Sequence, residues 1–147
     1  MINGLLNYGF WILYGEVTKQ LNTIGLDYSV GFYHQPHTSN LVLVYDMIES
    51  FRHLVERSVF EIKDLIRKKD LIRKKDYVFS VKGIVVLSRQ LKQRYIDLLS
   101  TIMSRKRLYK ARTGIRRKDG NQKMEERTII KMKCFELKES LGVDEHV

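Results

Sequence analysis

The sequence predicts a mainly α-helical bundle with a small β-hairpin, and three observations lead there. Residues 4–24 and 41–69 repeat apolar side chains at helical spacing over unusually long runs. One proline in 147 residues leaves such runs unbroken. The stretch YVFSVKGIVVLS, residues 77–88, places two β-rich runs around Lys82 and Gly83, the pattern of a tight hairpin.

The first helix carries Leu5, Leu6, Phe10, Ile12, Leu13, Val17, Leu21 and Ile24 around most of its circumference, so a central position is expected. Gly25 and Asp27 are its stop signals. Residues 28–40 read as a loop punctuated by Gly31, Pro36, Ser39 and Asn40. A second helix over 41–69 carries Val44, Met47, Ile48, Phe51, Leu54, Val55, Val59, Phe60 and Ile62. It runs into a direct repeat, DLIRKK at 64–69 and again at 70–75. A shift of six residues turns a helical position by about 240°. Leu65 and Leu71 therefore cannot share a face, and the helix ends within the repeat or loops out one copy. The repeat is a local duplication with a solvated charged face, not a repeat architecture. Beyond the hairpin, Leu91, Tyr95, Ile96, Leu98, Leu99 and Ile102 mark a helix over 89–104. A last helix over 123–141 carries Ile129, Ile130, Met132, Phe135 and Leu137, and the final residues fray.

The length suits one domain, and 44% hydrophobic with 30% charged residues is a globular composition. Lys and Arg outnumber Asp and Glu by 27 to 17, a formal charge of +10. Such a surplus points to an acidic polymer or an anionic surface as partner. The single cysteine, Cys134, excludes an internal disulfide, fits a reducing cytosol and sits at a core position of the last helix. The N-terminal run is broken by Asn3 and Asn7 and is shorter than the roughly 20 apolar residues of a membrane span. It lacks a basic region and a cleavage pattern, so a cytoplasmic protein is expected.

Four polar positions stand out. Glu16 lies in an apolar helix, where a carboxylate needs a cation, a donor or water. His34 lies in the turn GFYHQPHTSN, where a loop can aim its imidazole, with His37 as its competitor. Asp46 and Glu49 are three residues apart, roughly 60° around a helix, and both can face one cleft. Carboxylates and an imidazole with room for solvent suit Mg²⁺ or Mn²⁺ and phosphodiester chemistry, with Glu16 available by spacing as a third ligand. The same residues can equally be ordinary: Glu16 paired with a cation, His34 a turn residue. His53 and His146 read as surface and tail residues.

NGLLNYGFWILYGEV, GLDYSVGFYH and LVLVYDMIESFRHLVERSV, in this order, resemble the CRISPR-associated adaptation integrase–endonuclease family ("Cas one"). Asn3, Leu6, Asn7, Tyr8, Gly9 and Glu16 carry the first block, and Gly25, Leu26, Asp27, Gly31, Phe32 and His34 the second. Asp46, Glu49, Phe51 and Arg52 carry the third. Tyr28 and His53 stand where the family usually has proline, and Tyr33 where it has leucine. The likeness is strongest over 3–60.

The resemblance implies a metal-dependent DNA integrase with nuclease activity that joins a captured fragment's 3′-hydroxyl to a repeat. It places catalytic and metal-binding roles on His34 and Glu49, with Asp46 beside them, and Mg²⁺ or Mn²⁺ as cofactor. The family's remaining ligand is a Glu from a Gly-x-Glu-Gly block upstream of everything present, which makes Glu16 a structural or at most supporting residue. It further implies a single catalytic-type domain over 1–147, without the family's N-terminal β-rich domain and first-ligand block. DNA, the small adaptation subunit of the CRISPR integrase and a second copy of the chain are the partners it raises. The basic cluster Arg105, Lys106, Arg107, Lys110, Arg112, Arg116, Arg117 and Lys118 then reads as DNA-backbone contacts, or else as a solvated loop. The alternative function is an inactive DNA-binding fragment or remnant of the family. A helical bundle with no catalytic role is a third reading.

Overall fold

A computed structural model describes residues 1–29, 31–32, 41–69, 77–79, 85–110 and 122–142. Mainly helical structure is observed, with short antiparallel hairpins. In chain order the elements are α1 (Ile2–Thr23), α2 (Val42–Glu49), α3 (Arg52–Lys69), β1 (Tyr77–Phe79), β2 (Val85–Leu87), α4 (Arg89–Met103), β3 (Lys106–Tyr109), β4 (Gln122–Glu125) and α5 (Glu126–Ser140). They group into two compact units, Met1–Leu13 with Arg52–Ile102, and Tyr14–Phe51 with Met103–Val147. Among the described residues no helix is long and apolar enough to cross a membrane.

The first unit is built on Leu5 from α1, Val59 and Ile62 from α3, Leu87 from β2, and Leu91 and Tyr95 from α4. Spacings of three and four residues put each helix's contributors on one stripe. Tyr95 is fully buried, so its hydroxyl needs a partner. Ser58 donates to the Val55 carbonyl at 2.6 Å, which leaves the Tyr95 hydroxyl to donate to Ser58 Oγ at 2.8 Å. A Cβ at Gly9 would strike that tyrosine hydroxyl and come within 2.6 Å of Val55 Cγ1, so α1 can approach only as glycine. β1 and β2 pair antiparallel, Tyr77 with Leu87, as the hairpin pattern predicts. Ser88 caps α4, accepting the Leu91 N–H at 3.2 Å.

In the second unit, α1 ends as its sequence predicts. Gly25 has φ +70, the Leu26 N–H bonds to the Leu21 carbonyl at 3.1 Å, and the Gly25 N–H bonds to Asn22 at 3.2 Å. This is a Schellman cap, and Leu21 and Leu26 are both buried beside it. Asp27 then accepts the Ser29 N–H at 2.8 Å, which holds its carboxyl below the usual range. Tyr14 and Tyr45 meet edge to face at 4.9 Å. β3 pairs antiparallel with β4, from Lys106 opposite Glu125 to Tyr109 opposite Gln122.

Three expectations change. The helix expected over 41–69 is two helices. Ser50 and Phe51 donate to Met47 and Ile48 at 3.3 and 2.8 Å, bonds three residues back that tighten the turn between α2 and α3. Ser50 keeps helical dihedrals (φ −68, ψ −16), so apolar spacing passes through the break unmarked. The last helix starts at Glu126 because 122–125 form β4, and Glu125 is extended at ψ 149. And α1 buries one stripe, Leu5, Leu13, Val17 and Leu21, while Trp11 is 71% exposed. α3 ends at Lys69, after the first DLIRKK copy; the second copy lies outside the described residues.

Candidate metal centre and nucleic-acid interface

The approach to α2 is fixed by backbone polar groups. The first N–H groups of a helix lack internal partners. In α2 one of them, Leu43 N–H, donates to the Tyr28 carbonyl at 3.0 Å. Leu41, at the N-cap, offers no side-chain bond. Asp46 is buried, and its Oδ2 accepts the Phe32 N–H at 2.7 Å. A charged acceptor on a backbone N–H is the stronger kind of hydrogen bond and offsets the cost of burying the carboxylate. The chain passes so close that a Cβ at Gly31 would strike Val42 Cγ1 and sit 2.7 Å from Asp46 Oδ2. Asp46 thus ties residues 31–32 to α2, two positions before His34 in the sequence. His34 and His37 themselves lie outside the described residues.

Glu49, the last residue of α2, is exposed. Three residues from Asp46, it faces water while Asp46 faces the incoming loop. Glu16 is half-buried on α1 and accepts the Gln20 Nε2–H at 3.0 Å, so the donor it needs comes from its own helix, one turn on. Among the described residues no three His, Cys, Asp or Glu side chains gather as a metal-binding group. His53 is exposed, as expected of a surface histidine. His146 lies outside the described residues.

Of the basic cluster, Lys106, Arg107 and Lys110 are exposed and Arg105 is half-buried. Arg112, Arg116, Arg117 and Lys118 lie outside the described residues. The stretch is not a plain solvated run, because β3 carries its first part. Arg107 Nε donates to Glu126 Oε1 at 2.7 Å. The Tyr109 hydroxyl donates to Glu136 Oε1 at 2.7 Å, and Lys133 approaches Glu136 Oε2 at 3.0 Å. Sequence reasoning gave Glu126 and Glu136 no role. The available signal was their place on an apolar-patterned helix, where a carboxylate asks for a partner.

The profile of the family described as CRISPR associated protein Cas1 matches residues 1–101, more than half of the chain. The chain belongs to the Cas1 family. A CRISPR-associated endonuclease Cas1 of Clostridium perfringens is 27% identical over 147 residues, covering 98% of this chain and 40% of the relative. A structure of a casposase bound to integration product superposes with a TM-score of 0.79 and 26% identity over 100% of this chain and 39% of that one. Cas1 also occurs in a Cas6-RT-Cas1–Cas2 complex whose matching part covers 96% of this chain, with a TM-score of 0.70 and 25% identity. The chain spans 40% or less of the length of the curated relatives it matches, 19% and 10% in two others. The Cas1 match embraces Asp46, Glu49 and the His34 turn, and the resemblance seen in the three sequence blocks is borne out.

Proposed function

We propose that this chain forms the metal-dependent catalytic part of a Cas1 integrase–endonuclease, acting on DNA phosphodiesters by transesterification or hydrolysis during CRISPR spacer acquisition. The observation that carries this reading is the superposition of the whole chain on a casposase bound to integration product. The donor set fits a hard divalent ion. Glu49 offers an exposed carboxylate at the end of α2, and Asp46 holds the chain from which the His34 turn departs. His34 and Glu49 would hold Mg²⁺ or Mn²⁺, with Asp46 as the residue that positions the turn. Glu16, bonded to Gln20, has a structural role. The family's remaining ligand belongs to a Gly-x-Glu-Gly block that these 147 residues do not contain, so another stretch of polypeptide completes the set. A bound divalent ion would supply Lewis acidity at a phosphate oxygen. The chain's own residues would bind and orient: the imidazole and carboxylate would hold the ion, and the basic surface would carry the flanking DNA backbone. The small adaptation subunit is a partner on the same footing, supported by the Cas1–Cas2 assembly.

A second reading, a DNA-binding fragment without catalysis, is supported by the exposed cations Lys106, Arg107 and Lys110, which can serve a DNA backbone without any metal. Cleavage and strand joining on branched DNA with Mn²⁺ separate the two. The first reading predicts turnover that is lost in His34→Ala and kept in His37→Ala. Activity lost in His37→Ala alone transfers the role to His37. DNA binding with no turnover, when a polypeptide carrying the Gly-x-Glu-Gly block is also supplied, selects the second reading.

A further inference from the structure

Arg107 and Tyr109 alternate on β3, and each bonds a carboxylate of α5. The two interactions differ in what they leave over. Tyr109 is buried, and its one hydroxyl proton is used. Arg107 uses its Nε on Glu126 while its side chain remains 46% exposed. A guanidinium carries five donors in a fixed fork. Among the described residues, the Nη amines of Arg107 have no partner. One of the five donors is anchored and four are left over, on a side chain nearly half exposed.

The anchor is rigid. Glu126 opens α5, its side chain is 9% exposed, and its N–H bonds to the Arg105 carbonyl at 3.2 Å. The positive end of the helix favours its charge. Its second oxygen, Oε2, is buried with no hydrogen-bond partner. Arg107 is thus the one side chain bonded to that carboxylate among the described residues, and a buried carboxylate left uncompensated is costly. The surroundings are cationic. Lys106 and Lys110 flank the site on the same segment, Lys123 follows on β4 opposite Leu108, and all three are exposed. A held guanidinium among mobile ammonium groups matches a row of phosphates, where the fork orients and the lysines neutralise.

We propose that Arg107 grips a backbone phosphate of duplex DNA through its Nη amines, and that Glu126 is the positioning residue that sets the guanidinium for it. This rests on the DNA reading above and adds to it the residue pair that does the holding.

The charge of Glu126 gives the test its sign. Removing a carboxylate from a DNA-binding face tightens binding if only net charge matters. It weakens binding if the carboxylate aims an arginine. Fluorescence anisotropy of the full chain with a labelled duplex, over a KCl series, reads both affinity and salt slope. Glu126→Gln, close in shape, is expected to weaken binding by at least about fivefold. Arg107→Lys keeps the charge and loses the fork, so it weakens binding to a similar degree with the salt slope unchanged. Lys123→Gln, a plain neutralising contact, lowers the slope by about 0.9. Far-UV circular dichroism checks that each variant stays folded. If Glu126→Gln loses helix, Arg107→Lys decides alone. Equal or tighter binding by the folded variants overturns the proposal and leaves the DNA reading standing. No duplex binding by the wild type removes both.

Discussion

Cys134 lies fully buried on α5, and burial pushes its thiol from 9.0 up to about 12. Tyr95, buried against Ser58, is raised in the same direction by desolvation. In both, the folded chain holds a proton that the unfolded chain gives up more readily. The resulting stability is fully present below the unfolded value and is lost as pH rises toward the folded one. For Cys134 that window runs from about 9 to 12. Urea titrations should therefore show stability falling above pH 9 by up to about 1.4 kcal/mol per unit from this group. Cys134→Ala should remove that part of the slope while costing stability at neutral pH through the space it leaves. An unchanged slope in the variant would assign the alkaline loss to other groups. The position of Cys134 in the core was legible, because it falls on the apolar stripe of α5. The pairing of Arg107 with Glu126 was not, since sequence gives no register between β3 and the helix that follows β4.

At the scale of elements, glycine marks where backbones meet. Gly31 faces Val42 and Asp46 at a distance that leaves no space for a methyl group, whereas Gly15 in α1 has nothing within 4 Å. The two positions should respond with opposite signs. Gly31→Ala should cost about 1–3 kcal/mol by pushing residues 31–32 off α2. Gly15→Ala should gain up to about 1 kcal/mol from helix propensity alone. Thermal melts of the two variants read this directly, and a neutral Gly31→Ala would mean the loop does not rest on α2. Helices α1 and α4, the body of α5 and the β1–β2 hairpin could be read from spacing, turn residues and caps. The division of α2 from α3 could not. Ser50 keeps helical dihedrals, and the bonds donated by Ser50 and Phe51 reach back only three residues. β3 and β4 escaped because their residues are short, charged and mostly exposed, so no alternation of apolar and polar side chains announces them.

For the whole molecule, each unit has its own buried apolar residues, and the tight turn at Ser50–Phe51 is one of three places where the chain passes from one unit to the other, with Leu13–Tyr14 and Ile102–Met103. The +10 charge belongs to association rather than folding, and on β3 it is organised around carboxylates of α5. Family membership was legible from three short blocks, since each records a local requirement. Gly9 admits Tyr95, Gly25 ends α1, and Gly31 lets the loop reach Asp46. For Asp46 and Glu49 the spacing was legible but their division of labour was not. Spacing puts Asp46 and Glu49 on one side of a helix, yet one is buried as an acceptor and the other reaches water.

At the centre is the claim that His34 and Glu49 jointly hold a divalent ion, which manganese titration calorimetry tests most directly. Wild type and Glu16→Ala should both bind Mn²⁺ with matching heats, while His34→Ala and Glu49→Ala each lose that binding. Undiminished Mn²⁺ binding by Glu49→Ala would contradict it.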